Sequence, residues 1–223
     1  DGPTDKADKV YVDITTPTEY EDEEMLGISN GKLIETTTSG GNTTFKWQHH
    51  HECVPYYVMV AVGRYDTIED TYNRNGHNVP LEYFVFPNDK ASATTGVSIM
   101  PKAFDAFIHY FGDYPFKDEK YSMTQMGIYI GIENQTNSIL YDLSSGWRET
   151  MVHELAHMWF GCAVTCTNWH HVWINEGFAS YAEALYYKYV YDTDGLSNTD
   201  GDAAYLSHMN SMRYLQGGTI YLS

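Results

Sequence analysis

The residues with the clearest chemical meaning lie close together in the segment "MVHELAHMWFG", which contains His153, Glu154 and His157. Capping signals on either side predict a helix over residues 146–160, with Gly161 as its C-cap. The two histidines are four positions apart, so they lie on one face of this helix. Two converging imidazoles suit a first-row metal ion, most often Zn²⁺. Glu154, beside the first histidine, can reach a metal-bound water without itself binding the metal.

A catalytic zinc ion usually has three protein ligands and an open position for water, so the pattern requires a third ligand. Glu176 follows His157 after eighteen residues and lies at the predicted start of a second helix, with Asn175 as its predicted N-cap. Glu183 lies two turns further along the same face, where it can accept a hydrogen bond from a ligand imidazole and orient it. The spacing therefore predicts a complete metal site.

Two cysteines near this motif, Cys162 and Cys166, have His170 and His171 close by in the sequence. All four side chains are of metal-binding types, but the cysteine spacing is not that of a zinc knuckle. We therefore interpret the cysteines as small apolar residues or as a local disulfide. The chain has three cysteines in all, so at least one thiol is unpaired within it.

A run of three histidines, at positions 49–51, is a further group of metal-binding residue types. It follows a segment typical of a β-strand, in which successive side chains point to opposite faces. Only His49 and His51 would then be neighbours. We interpret the run as the solvated end of a strand.

The elements that must position these residues change character near residue 90. Before it, apolar and polar residues alternate in "KVYVDIT", and β-branched and aromatic residues are frequent in "YYVMVAVGRY" and "PLEYFVF". Turn sequences separate these segments. After it, apolar residues recur at helical spacing from Met100 to Phe111, and Gly112 is the predicted C-cap. The later segment "QMGIYIGIENQT" is typical of a strand. The pattern predicts an α+β fold with a domain boundary near residue 90.

Composition limits the partners of this 223-residue chain. It has 30 acidic and 13 basic residues, so its surface should repel the phosphate backbone of nucleic acids. We expect no nucleic-acid partner. No apolar run approaches the roughly 18 residues that a membrane-spanning helix needs. Asn42-Thr43-Thr44 and Asn134-Gln135-Thr136 match the glycosylation sequon, and an extracellular or cell-envelope location is our expectation.

The motif and its surroundings resemble the gluzincin aminopeptidases related to membrane alanyl aminopeptidase (aminopeptidase N). The hallmark of that family is HExxH, eighteen residues and a glutamate, within the pattern that runs here from His153 to Glu183. The segments "SNGKL", "FGDYPF" and "GIENQT" also match the family in order. The resemblance implies a fragment of a longer polypeptide. Residues 1–90 are then the later part of a β-rich domain, and residues 91–223 an incomplete, mostly helical thermolysin-like catalytic domain with a small sheet.

The family's second motif, Gly-x-Met-Glu-Asn, recognises the free amino terminus of a peptide substrate. Its counterpart here runs from Ile130 to Asn134, with Gly131 and Glu133 between them. The glutamate and asparagine are retained, whereas the first glycine and the methionine are both isoleucine. The resemblance implies that Glu133 pairs with the substrate's ammonium group, with Gly131 and Asn134 beside it. The two isoleucines are the departure from the family pattern that bears on the shape of the cleft and hence on its side-chain preference.

The resemblance also implies the activity, a zinc aminopeptidase that removes N-terminal residues from peptides. In that reading Glu154 is the general base, and Zn²⁺ is held by His153, His157 and Glu176. Family members stabilise the oxyanion with a tyrosine. Tyr214 is the only passable candidate here, but Gln216 and Gly218 depart from the family motif, so we expect the tyrosine to lie beyond position 223. Two alternatives stay open: a thermolysin-type metalloendopeptidase, and an inert aminopeptidase-like binding or structural module.

Overall fold

The β-strands and helices account for most of residues 2–74, 76–194 and 200–212, which the computed structural model describes. The strands are β1 (Val10–Pro17), β2 (Glu19–Tyr20), β3 (Glu23–Glu24), β4 (Leu26–Ser29), β5 (Lys32–Ser39), β6 (Asn42–His49), β7 (Val60–Gly63), β8 (Asp66–Tyr72), β9 (Val79–Val85), β10 (Tyr121–Gln125), β11 (Gly131–Ile132) and β12 (Asn137–Leu140). The helices are α1 (Lys90–Val97), α2 (Met100–Phe111), α3 (Arg148–Ala156), α4 (Trp173–Asp194) and α5 (Gly201–Met212). The predicted α+β class is confirmed.

The N-terminal part of the chain forms small antiparallel sheets. Strands β1, β6 and β5 form one sheet in that order, and β4 pairs with β7. The β5–β6 hairpin closes through Gly40 and Gly41, whose φ angles of 59° and 77° suit a tight two-residue turn. The turn chemistry of "TSGGNTT" therefore sets the register of this hairpin, in which Ser39 faces Asn42.

A five-stranded sheet lies next to the helices, with the strand order β11-β12-β10-β9-β8. Strands β9, β10 and β12 are parallel, and the antiparallel strands β8 and β11 form the two edges. This sheet combines strands from both sides of residue 90. The division into residues 1–90 and 91–223 stays a prediction, and the shared sheet favours a boundary nearer residue 64.

Helix α2 matches its sequence pattern. It runs from Met100 to Phe111, and the backbone N–H of Gly112 bonds to the carbonyl oxygen of Ile108 at 3.1 Å. Gly112 has a φ of 88°, a conformation that glycine adopts without steric cost. The apolar face of α2 is buried in the larger core, where Phe104 and Phe107 pack against Trp159. The predicted helix and its C-cap are confirmed.

Two predicted elements are shorter than their sequences suggested. Within "QMGIYIGIENQT", after β10 ends at Gln125, only Gly131–Ile132 forms a strand, because the following chain turns back at Thr136, with a φ of 64°. The helix predicted over residues 146–160 is α-helical only to Ala156. Beyond that point the chain tightens into turns and reverses at Gly161, which has a φ of 129°. Gly161 therefore shapes a turn and is not a helix cap.

In the ranges that the structure covers, no helix is both long and apolar enough to span a bilayer.

Candidate metal centre

Three side chains from two helical segments converge on one point. The Nε2 atoms of His153 and His157 are 3.1 Å apart, and Glu176 Oε2 lies 3.4 Å from the first and 3.7 Å from the second. Donor atoms bound tetrahedrally to one zinc ion at about 2.0 Å would be about 3.3 Å apart. The spacing of these three atoms therefore fits a shared metal ion.

Helix α3 and the turn after it supply the two histidines, and the first turn of α4 supplies the carboxylate. Helix α4 begins at Trp173, so the expectation that Asn175 caps it is wrong. Asn175 is fully buried instead, and its Nδ2 donates to Tyr57 Oη at 3.1 Å. This bond ties the start of α4 to the β-rich part of the chain.

Each histidine is oriented through its other ring nitrogen. His153 Nδ1 donates to Glu183 Oε1 at 2.7 Å, which is the contact that the sequence predicted for Glu183. His157 Nδ1 donates to the carbonyl oxygen of Phe160 at 2.9 Å, an acceptor that the turn after α3 brings into place. Both rings therefore present Nε2 to the same point, as ligating histidines do.

The charges around this point favour a cation. Burial lowers the pKa of His153, but hydrogen bonds to Glu176 and Glu183 outweigh it and raise the pKa to about 10. Hydrogen bonds to the same two histidines hold the pKa of Glu176 well below its usual range. The same negatively charged site can hold either a proton on an imidazole or a metal ion, so the two compete for it.

Glu154 lies beside the convergence point and is only 4% exposed. Burial is the main reason why its pKa rises to about 7, against the opposing effect of the two histidines. Its Oε2 has no hydrogen-bond partner in the described protein. A carboxylate that titrates near neutrality and has a free oxygen is suited to accept and return a proton.

Gly131, on the edge strand β11, makes room for this carboxylate. A Cβ added at Gly131 would lie 2.2 Å from Glu154 Oε1. Real Cβ atoms do not approach so closely. The carboxylate of Glu154 can therefore lie here because residue 131 has no side chain. The sequence assigned Gly131 to substrate binding, and the structure brings it into contact with Glu154.

Glu133 follows two residues later and is also buried, at 8% exposure. Its carboxylate lies within 4.8 Å of donor atoms on Glu154 and His157. Asn134 is buried beside it, and its Oδ1 has no partner among the described residues. The structure therefore places Glu133 beside Glu154 and His157, with Asn134 next to it in the chain, and burial makes Asn134 unsuitable for glycosylation.

A cavity of about 470 Å³ opens between Glu133 and Glu176. Its other walls come from Pro55, Tyr56, Trp169 and Val172. The rings of Tyr56 and Trp169 are 5.5 Å apart and give the cavity an aromatic side. Sequence reasoning missed these four residues, because they come from two segments that are far apart in the chain and match no spacing rule.

The other described candidates are not among the converging side chains. Cys162 and Cys166 are both free and buried, so they form no local disulfide. His170 and His171 are exposed and belong to neither of the metal-binding groups found in the described residues. Tyr214 lies outside the residues that the structure describes.

The interpretation of His49 as solvated is wrong. It is 1% exposed, its Nδ1 donates to Glu119 Oε2 at 2.6 Å, and its Nε2 accepts from Gln135 Nε2 at 2.8 Å. The end of β6 is covered by two distant segments, and the strand pattern alone could not reveal that cover. His49 therefore braces the segment that follows Glu133.

Comparison with known proteins agrees with this geometry. The sequence pattern of the Peptidase family M1 domain matches residues 104–215, which is half of the chain. The chain belongs to peptidase family M1. The matched residues include α3, the turn after it and the start of α4, which carry His153, His157 and Glu176.

Curated relatives in the M1 family are much longer than this chain. Aminopeptidase M1-B of Oryza sativa subsp. japonica is 31% identical over 177 residues, which cover 73% of this chain and 20% of the relative. Glutamyl aminopeptidase of Mus musculus is 37% identical over 145 residues, covering 58% of this chain and 15% of the relative. The chain thus spans about a fifth of the length of the curated relatives that it matches.

The fold is that of solved M1 structures. The M1 zinc metallopeptidase of Deinococcus radiodurans aligns with a TM-score of 0.77 and 23% identity, covering 96% of this chain and 45% of that one. Aminopeptidase A of Legionella pneumophila aligns over 82% of this chain and 23% of its own, with a TM-score of 0.71 and 19% identity. At these identities the likeness establishes the architecture.

Proposed function

We propose that this chain carries the catalytic zinc centre of an aminopeptidase. The observation that carries the proposal is the convergence of His153, His157 and Glu176 with donor atoms within 4.8 Å of one another. The donor set, two imidazoles and one carboxylate, is one that catalytic zinc sites use. M1 relatives named as aminopeptidases and as zinc metallopeptidases support it.

A bound zinc ion would lower the pKa of a water molecule and polarise the scissile carbonyl group. Glu154 Oε2, which has no hydrogen-bond partner among the described residues, accepts the proton of the attacking water. The protonated carboxyl group can then give this proton to the departing amine. One residue thus serves as base and then as acid.

Glu133 gives the site its preference for a chain end. Its buried carboxylate lies beside Glu154, where the α-ammonium group of a substrate can pair with it. An internal peptide segment would bring no charge to this position and would leave the carboxylate unpaired. The substrates are therefore peptides with a free amino terminus.

Two alternative functions predict different results when cleavage of a free peptide is compared with cleavage of its acetylated form. A thermolysin-type metalloendopeptidase would use the same metal ligands but would not need Glu133. An inert binding or structural module could keep the metal without turnover. The extracellular or cell-envelope location and the association with the remaining parts of a longer polypeptide stay predictions.

The test compares one peptide with a free amino terminus and the same peptide after acetylation, using the zinc-loaded protein and Glu133→Ala. Losing one partner of a desolvated charged pair costs about 2 to 5 kcal/mol, roughly 30- to several-thousand-fold in kcat/KM for the free peptide. The control is Glu69→Ala, an exposed carboxylate on the opposite edge of the sheet.

Equal losses on both peptides would assign Glu133 to the fold or the metal site. Efficient cleavage of the acetylated peptide would favour the endopeptidase. Absence of turnover with zinc bound would favour the inert module.

A further inference from the structure

The carboxylate of Glu183 is held at both of its oxygens. Oε1 accepts from His153 Nδ1 at 2.7 Å, and Oε2 accepts from His208 Nε2 at 2.9 Å. The side chain of Glu183 is only 14% exposed and that of His208 only 9%, so water competes little for either bond. Helix α5, which carries His208, therefore reaches a zinc-ligand candidate through one intermediate residue.

His208 is itself held in place by groups on the other two helices. Its ring lies 4.9 Å from the ring of Tyr187 on α4, and its Nδ1 is 3.8 Å from Glu149 Oε1 on α3. Tyr187 Oη donates to the same Glu149 oxygen at 2.9 Å. Glu149 lies four residues before His153 on α3, so the chain of contacts returns to the helix of the proposed zinc ligand.

We propose that His208 is a positioning residue, which fixes Glu183 and, through it, the imidazole of His153. The inference rests on the proposed function, because it concerns zinc binding at that site. A buried carboxylate with a single hydrogen bond can rotate, and its second oxygen is left without a partner. The second bond from His208 removes both problems and holds the acceptor where His153 needs it.

No rule of spacing pointed to His208. It lies 25 positions after Glu183 on a different helix, and only the packing of α5 against α4 brings the two side chains together. Removing the hydrogen-bond partner of a ligating histidine typically weakens metal binding about 10- to 100-fold. Because His208 is one contact further out, we expect an effect near the lower end, about tenfold.

The experiment measures zinc affinity by competition with a chromogenic chelator, without reference to turnover. His208→Leu removes the donor and should weaken zinc binding about tenfold. His208→Gln retains an N–H donor and should restore most of the affinity. Asn210→Leu, an exposed position on the opposite face of α5, is the control and should bind zinc as the unaltered protein does.

Two further measurements separate positioning from general support of the fold. His208→Leu should add no loss of affinity in a Glu183→Ala background, since the carboxylate through which His208 acts is already absent. The zinc-induced increase in Tm, measured for each protein against its own metal-free form, should be smaller in His208→Leu than in the unaltered protein.

Unchanged zinc affinity in His208→Leu would overturn the inference and leave the proposed function standing. A full tenfold loss that persists without Glu183 would overturn it as well. If the unaltered protein bound no zinc, the proposed function would fail first, and this inference with it.

Discussion

At the scale of single residues, the position of Glu154 depends on a neighbour with no side chain. Gly131 has an ordinary φ, so alanine meets no backbone penalty there, but its Cβ would lie 2.2 Å from Glu154 Oε1. The end of a side chain can move, whereas the strand cannot move so easily. Substitution at Gly131 therefore shifts the proposed base and not the fold.

We expect Gly131→Ala to fold and bind zinc normally but to lose roughly 100-fold in kcat, as displacement of a reacting group by about 1 Å can cause. The matched control is Gly127→Ala, where an added Cβ meets nothing within 4 Å. Steady-state kinetics and zinc content would be measured for both. Normal turnover of Gly131→Ala would show that Glu154 tolerates displacement.

Glu154→Gln tests the base directly. The amide keeps the size of the side chain but cannot take up a proton, so we expect zinc to remain bound while kcat falls about 10²- to 10⁴-fold. Metal analysis and turnover would be measured on the same sample. Near-normal kcat with zinc in place would remove Glu154 from the mechanism.

At the scale of secondary-structure elements, helix α1 approaches the chain that leads into α3. Gly96 on α1 is buried, and a Cβ there would lie 1.9 Å from the carbonyl oxygen of Leu143 and 2.6 Å from the carbonyl carbon of Ser144. Both contacts are with backbone, so no side-chain rotation can relieve them. This close contact fixes the start of the helix that carries His153.

Two effects oppose each other in Gly96→Ala. Alanine favours a helix over glycine by about 1 kcal/mol, whereas overpacking costs about 1 to 3 kcal/mol. Because the contact is with backbone, we expect a net loss of about 1 to 2 kcal/mol in the free energy of unfolding. Denaturant titration would measure it, with Thr95→Ala on the exposed side of α1 as the control. A stabilised Gly96→Ala would mean that α1 can move away.

At the scale of the whole molecule, zinc binding links the helices to the stability of the fold. Zinc at 100 times its dissociation constant adds about 2.7 kcal/mol to the free energy of unfolding. For a domain of this size that corresponds to about 5 to 10 °C in Tm. We expect a chelator to lower Tm by this amount at pH 7.5, measured by scanning calorimetry, and excess zinc to restore it.

The same linkage makes zinc affinity depend on pH. Because the pKa of His153 is raised to about 10, its imidazole carries a proton at pH 7 that zinc must displace. The pKa of Glu176 is lowered, so its carboxylate stays ionised. Zinc affinity should rise with pH up to about pH 10. Below that pH, it should weaken about tenfold per pH unit for each proton that zinc displaces. Chelator competition between pH 6 and 9 would measure this, and a flat profile would contradict it.

The sequence by itself determined the local parts of this protein. The four-residue spacing of His153 and His157 places them on one helical face whatever surrounds the helix. The apolar periodicity from Met100 to Phe111 and the glycine pair at the β5–β6 turn likewise depend on near neighbours only. Glu176 was found by its spacing to these histidines, and the structure brings it to them.

Only the tertiary structure decided what depends on contacts between distant segments. The pairing of β9 with β10 across residue 90, the burial of His49 under Glu119, and the bond between His208 and Glu183 all join residues far apart in the chain. No periodicity encodes such contacts, because they arise from the packing of whole elements against one another. Burial, which raises the pKa of Glu154 to about 7, arises in the same way and makes an ordinary glutamate suited to proton transfer.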